Sequence, residues 1–154
     1  MITIGDLLHH DHIEMGLTAT DPNEAISEVA ALVKSNPSVL DWNALLKGVQ
    51  ASAPCLPEPN GGFALCIPHT RGDCVNGMVM SVGRSEAGIS FPGIELPVRY
   101  IFCIAVPRAL AADYLRIVGL LARVFKDPSA EAELRAAQTG GEFVEFLTKR
   151  EAKL

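Results

Sequence analysis

The chain has 154 residues, 49% of them apolar and 20% charged. That is the size and composition of a globular protein with one sizeable core, and it excludes a disordered chain. A formal net charge of −5 with scattered basic residues argues against a nucleic-acid or anionic-membrane surface.

No stretch approaches the roughly 18–20 apolar residues that a bilayer span needs. The longest, YIFCIAV at 100–106, has strand length. The opening MITIGDLL shows neither a basic leader nor a cleavage site, so a cytoplasmic chain is expected. One domain over residues 1–154 is expected as well. Cys55, Cys66, Cys74 and Cys103 show no disulfide-framework spacing, and they read as reduced thiols, most of them buried.

In chain order, HIEMGL (12–17) alternates as a short strand does. The next segment starts a helix: Asp21 can cap, Pro22 suits the first helical position, and Glu24 completes a capping box. Ile26, Val29, Ala30 and Val33 fall on one face, and Asn36-Pro37 ends it. A second helix begins near Asp41, with Leu45, Leu46 and Val49 inward, and APCLPEPNGG (53–62) breaks it. Three strands are predicted next, over 63–67, 75–82 and 98–106, the last two separated by the loop-like GRSEAGISFPGIELP.

From residue 111 the pattern turns helical. Apolar or aromatic residues recur at 114, 117, 118, 121, 124 and 125 until Asp127-Pro128 stops the run. A short helix around AEAELRAAQ follows. Thr139 and Glu142 then open a last helix as a second capping box, with Phe143, Phe146 and Leu147 inward. The order is β-α-α-β-β-β-α-α-α. A small sheet with this many helices needs cover on both faces, so the expected fold is a three-layer α/β/α sandwich around a mixed sheet.

Several constellations deserve weighing for chemistry. His9, His10 and His12 cluster beside Asp11, but neighbours on an extended segment point to different faces, which suits a single metal ion poorly. Cys66, His69 and Cys74 lack a fourth ligand at customary zinc spacing, and a Cys–His nucleophile pair lacks an orienting third group. No phosphate-binding GxxxxGK[ST] loop or GxGxxG is present. No metal or cofactor is therefore expected. His69 remains. It follows Pro68 at the end of an apolar strand, which gives the imidazole a rigid mount. Arg71, two residues on, supplies a guanidinium suited to a phosphate. A neutral imidazole near pH 7 is a competent nucleophile that can hold a phosphoryl group.

The run Ala64-Leu65-Cys66-Ile67-Pro68-His69-Thr70-Arg71 resembles the phosphohistidine segment of the fructose–mannitol class of enzyme IIA domains in the bacterial phosphotransferase system (PTS). That class includes the nitrogen-regulatory IIA proteins. VGRSEAGISFPG with VRYIFCIAVP, DYLRIVGLLARVFKDP, TGGEFVEFL and TDPNEAISEVAALV are similar to further segments of the family, so the resemblance covers essentially the whole chain. It implies a mixed sheet between helical layers and a phosphoryl relay. His69 would accept a phosphoryl group from an HPr-type phosphocarrier. It would then pass it to a IIB domain in sugar transport, or use it to change partners in regulation. Arg71 and Tyr114 would bind the phosphoryl group.

The chain departs from the family pattern twice. Where full-relay members carry a second histidine, this sequence has Tyr114. Where many carry an upstream Arg-Glu pair and a Thr-Gly, it has ASAPCLPEPNGG, with Glu58 and Asn60 as the polar residues at hand. The second reading is thus a IIA-shaped regulatory binding module with little or no phosphotransfer.

Overall fold

The computed structural model describes residues 1–58 and 62–154. Ahead of the expected first strand lies a short helix, α1 (Ile4–Leu7). Its capping box is reciprocal: Thr3 Oγ1 accepts from the Asp6 N–H at 3.1 Å, and Asp6 accepts from the Thr3 N–H at 2.9 Å. A 3₁₀ turn spans His10–His12, and only Ile13–Glu14 remain extended as β1. Helices α2 (Pro22–Ala30) and α3 (Trp42–Ala51) start where the sequence signals place them, with Asp21 and Asp41 accepting backbone N–H groups of their first turns. At Asp21 and Thr139 the bond formed is the one from the third helical N–H to the cap side chain.

The sheet is the centre of the molecule. Its strands are β2 (Cys55–Pro57), β3 (Ala64–Cys66), β4 (His69–Arg71), β5 (Val79–Ile89) and β6 (Val98–Val106), together with β1. The order is β1-β5-β6-β3-β2, with β4 alongside β6 beyond β3. Pairing is mixed, as expected: β5 runs antiparallel to β6, whereas β3 and β4 run parallel to it. All nine residues of β6 are buried. Successive side chains of a strand face opposite ways. Tyr100, Phe102, Ile104 and Val106 therefore pack one core, and Ile101, Cys103 and Ala105 pack the other.

The first core is closed by α1 and by the C-terminal helices α4 (Ala111–Lys126), α5 (Pro128–Ala136) and α6 (Gly140–Ala152). The second is closed by α2 and α3. Each fully buried Ile, Leu, Val or Phe contributes about 1.5–3 kcal/mol. The close approach of α2 needs Gly83, where a Cβ would strike Val29 Cγ2.

Three expectations are corrected. The strand expected over 75–82 starts at Val79 and continues through the supposed loop to Ile89. Its far end slips register beyond Arg84, and Gly88 turns there at φ +80°. The strand expected over 63–67 breaks at Ile67-Pro68 and resumes at His69. Proline has no N–H for the ladder, so the chain pauses there and then re-enters it. Finally, the cysteines are not all reduced: Cys55 and Cys66 form a disulfide, while Cys74 and Cys103 are free and buried. The pairing follows from β2, an edge strand not foreseen in the sequence, which sets Cys55 directly opposite Cys66.

Candidate functional site

His69 opens β4, and three elements fix it. The Cα register puts it beside Ile104, while the Ile104 N–H donates to the Pro68 carbonyl at 3.0 Å. The His69 N–H donates to the Ser52 carbonyl, just past α3, also at 3.0 Å. Its ring Nδ1 lies 3.1 Å from the Ile67 carbonyl oxygen. A carbonyl can only accept, so Nδ1 carries the proton and Nε2 of the neutral ring keeps the lone pair.

The neighbouring residue Thr70 determines how close α3 comes. A Cβ built on Gly48 would lie 2.6 Å from Thr70 Cβ and would also strike its Oγ1. No residue but glycine lets the helix lie this close to the histidine strand.

These residues line an open cleft of about 440 Å³ together with Arg71, Ala111, Tyr114 and Leu115. The sequence-predicted trio His69, Arg71 and Tyr114 is thus brought together. Tyr114 comes from the first turns of α4; its ring centroid lies 5.1 Å from that of His69, with the planes tilted by 32°. The same ring also packs against the first core. Burial pushes its phenol pKa upward, which keeps the hydroxyl protonated and neutral at pH 7. Arg71 is exposed at the end of β4. Leu115 stands 68% exposed at the rim, an apolar side chain open to a partner.

One residue near the site was not anticipated. Arg108 lies in a 3₁₀ turn after β6, and a Cβ on Gly72 would sit 4.0 Å from its Nη2. Among the described residues neither Arg71 nor Arg108 takes part in an ion pair, so two guanidinium groups flank the loop after β4. The signal for Arg108 is the parallel register of Arg71 with Val106, which no local motif reveals.

Other candidates are dispersed. Glu58 lies near the far end of β6, its carboxylate 3.8 Å from Arg99, and does not supply a charge beside His69. Asn60 lies outside the described residues. Cys66 is bonded to Cys55 and Cys74 is buried in the second core, so neither joins His69 as a ligand or nucleophile. His9 and His12 meet edge to face at 5.7 Å between ring centroids. Among the described residues no three His, Cys, Asp or Glu side chains gather where they could hold a metal ion. No described helix is long and apolar enough to cross a membrane.

A six-stranded mixed sheet between two helical layers is an architecture shared with solved IIA proteins. The nitrogen regulatory protein IIA-Ntr of Neisseria meningitidis superposes with a TM-score of 0.79 at 23% identity, covering 94% of this chain and 99% of that one. The mannitol IIA of Escherichia coli gives 0.67 at 20% identity, over 91% of this chain and 98% of that one. By sequence, residues 6–150 match the family model of the phosphoenolpyruvate-dependent sugar phosphotransferase system, EIIA 2, and the chain belongs to that family. A nitrogen regulatory protein of Escherichia coli (strain K12) is 29% identical over 132 residues, 83% of this chain and 77% of that protein. A fructose-specific EIIA component of the PTS from Haloferax volcanii is 32% identical over 79 residues, 51% of each chain. The aligned region thus spans about half the length of that relative.

Proposed function

We propose that this chain is a single IIA domain over residues 1–154 that relays a phosphoryl group through His69. The donor is an HPr-type phosphocarrier. The acceptor is a IIB domain, or the phosphorylated form itself serves as a regulatory signal. The observation that carries the reading is the hydrogen bond from Nδ1 to the Ile67 carbonyl, which leaves the Nε2 lone pair for attack. In the transfer, Nε2 attacks the phosphorus in line. The new N–P bond forms as the donor's N–P bond breaks, and the donor imidazole keeps that electron pair. The positive charge that develops on the His69 ring is stabilised through its Nδ1–H···O=C bond. Arg71 neutralises the peripheral phosphoryl oxygens, and the Tyr114 hydroxyl donates to one of them.

Support for a partner of this kind comes from a solved complex of the Escherichia coli mannitol IIA with phosphorylated IIB, whose IIA shares this fold. On this reading the protein works in the cytoplasm, where phosphoenolpyruvate drives the relay.

The second reading, a IIA-shaped binding module without phosphotransfer, rests on the neutral Tyr114 in a position where relay members carry a histidine. Intact-mass spectrometry decides between them. The protein is incubated with enzyme I, HPr and phosphoenolpyruvate at neutral to alkaline pH, beside a His69→Ala variant. The relay predicts one acid-labile phosphoryl group on the wild type and none on the variant. An unmodified wild type with an active cognate donor pair leaves the binding module.

A further inference from the structure

We infer that Cys55 and Cys66 are a reversible thiol–disulfide site whose state sets how firmly the His69 strand is held. Its effect on phosphoryl transfer rests on the relay reading above; the site itself does not. Three observations converge. First, the two cysteines face each other across antiparallel β2 and β3, with Cα atoms 4.1 Å apart. The flanking bonds, from the Ile67 N–H to the Pro54 carbonyl and from the Glu58 N–H to the Phe63 carbonyl, place this pair at the non-hydrogen-bonded position, where opposite side chains come closest.

Second, the two sulfurs are unequally exposed. Cys66 is fully buried, whereas Cys55 is only partly buried on the edge strand and lines an open cleft of about 290 Å³ with Leu56, Ile94 and Leu96. An attacking thiolate therefore reaches Cys55 Sγ and not its partner. The reduced thiol is also provided for, because Cys55 Sγ lies 3.5 Å from the Ala53 carbonyl oxygen.

Third, the segment that the disulfide pins is the one that holds the site. Pro54 and Ser52 accept the Ile67 and His69 N–H groups at 2.8 and 3.0 Å, and Ser52 lines the His69 cleft. β2 lies at the edge of the sheet, paired to β3. Removing the covalent tie leaves a three-residue edge strand to hold residues 52–57 in place, and such a strand opens readily.

The chemistry balances with a small disulfide, such as that of glutathione, as the oxidant. The Cys55 thiolate attacks one of its sulfurs, breaks the S–S bond and releases one thiolate. The Cys66 thiolate then attacks Cys55 Sγ of the mixed disulfide and releases the second. Two electrons pass from the cysteine sulfurs to the small disulfide, and the two cysteine protons end on the released thiols. Reduction runs the same steps backward, through attack of a small thiolate on Cys55.

The test equilibrates the full chain in buffers of reduced and oxidised glutathione over a wide range of ratios. Acid quenching, alkylation and peptide mass spectrometry read the linkage. Amide hydrogen exchange at Ile67 and His69 reads the mount, and phosphoryl uptake reads the function. A Cys55→Ser variant serves as a permanently reduced control, with Cys66→Ala as a second variant should the first fold poorly. The expected result is a Cys55–Cys66 peptide that forms and disappears reversibly. Exchange at the two amides rises about tenfold on reduction, and phosphoryl uptake slows by about three- to tenfold. Neither change appears in the variants. Absence of the linked peptide in the most oxidising buffer overturns the proposal, and so does a linkage that leaves exchange at Ile67 and His69 unchanged. Redox-dependent exchange without phosphoryl uptake in either state upholds the thiol–disulfide site and counts against the relay reading alone.

Discussion

Tyr114 brings a phenol, and no charged group, to the proposed site beside His69. A phenol raised in pKa by burial remains a neutral donor, so it contributes a hydrogen bond but no charge to a dianionic phosphoryl group. A histidine beside His69 that becomes protonated adds that charge. Tyr114→His is therefore expected to speed phosphoryl uptake at His69 by about tenfold, and Tyr114→Phe to slow it by a smaller factor. Rapid-quench kinetics with the phosphocarrier compare the three. Equal rates for the histidine variant and the wild type mean that charge at this position does not limit transfer. Arg108, near the loop after β4, carries a companion expectation: Arg108→Gln slows uptake about tenfold if its guanidinium takes over the missing charge. A rate unchanged within twofold assigns Arg108 to the surface. His69 and Arg71 could be nominated from the sequence because the Pro-His segment is chemically specific, and Tyr114 only through the family resemblance. Arg108 could not be, since its neighbourhood depends on a parallel register between strands more than thirty residues apart.

Among the elements, the α3–β4 contact has the narrowest tolerance. Gly48 lies against Thr70 with no room for a methyl group, and Thr70 adjoins His69. Gly48→Ala removes a helix-interior glycine, which on propensity alone stabilises by up to about 1 kcal/mol. Overpacking against a β-branched side chain on a strand costs about 1–3 kcal/mol and wins. The variant is expected to be less stable, and slower in phosphoryl uptake because the strand must shift. Urea unfolding and the same kinetic assay check both. A variant as stable and as fast as wild type shows that α3 yields without moving β4. The starts of α2, α3 and α6 were readable locally from Asp21, Asp41 and Thr139, whereas Asp127 read only as the end of the preceding helix and α1 was not foreseen. Strand limits were not readable. In β5 the exposed Glu86 and the glycine turn at Gly88 look like loop chemistry, although the backbone there still runs along β6. β2 hides for a different reason. It is three residues in a proline-rich stretch, held only by its partner strand, and the disulfide became visible only with that pairing.

Taken as a whole, the molecule puts its two polar centres at opposite ends of β6. His69 sits beside Ile104, and a buried charge cluster surrounds Arg99. In the cluster Arg99 stacks on Phe63 at 3.7 Å and pairs with Glu131 at 3.0 Å, while Arg135 approaches Glu131 from α5 at 3.8 Å. Glu58, at the end of the β2 segment, completes it. Burial pushes the Glu58 carboxyl up to about 7, Arg99 opposes that shift, and the nearby Glu131 carboxyl reinforces it by favouring the proton between them. The ordinary value is 4.5. The folded chain therefore holds this proton over a window in which the unfolded chain has released it. The resulting stabilisation is complete below about 4.5 and is lost as the pH rises through about 7. From about pH 5 to about pH 8 this single group is expected to remove about 1–3 kcal/mol of folding stability. Glu58→Gln keeps a neutral donor facing Glu131 at every pH, so the variant should match the wild type at the acid end and exceed it at the alkaline end. Urea unfolding at several pH values gives the comparison, and parallel curves for the two proteins would sink it. The effect also bears on function, because Glu58 and Cys55 belong to one short segment that begins at Ser52, the acceptor for the His69 N–H. Loss of the Glu58 proton loosens that segment at one end, and reduction of the disulfide loosens it in the middle. The two perturbations act on the same mount, so at about pH 8 the reduced Glu58→Gln protein should show slower amide exchange at His69 than the reduced wild type.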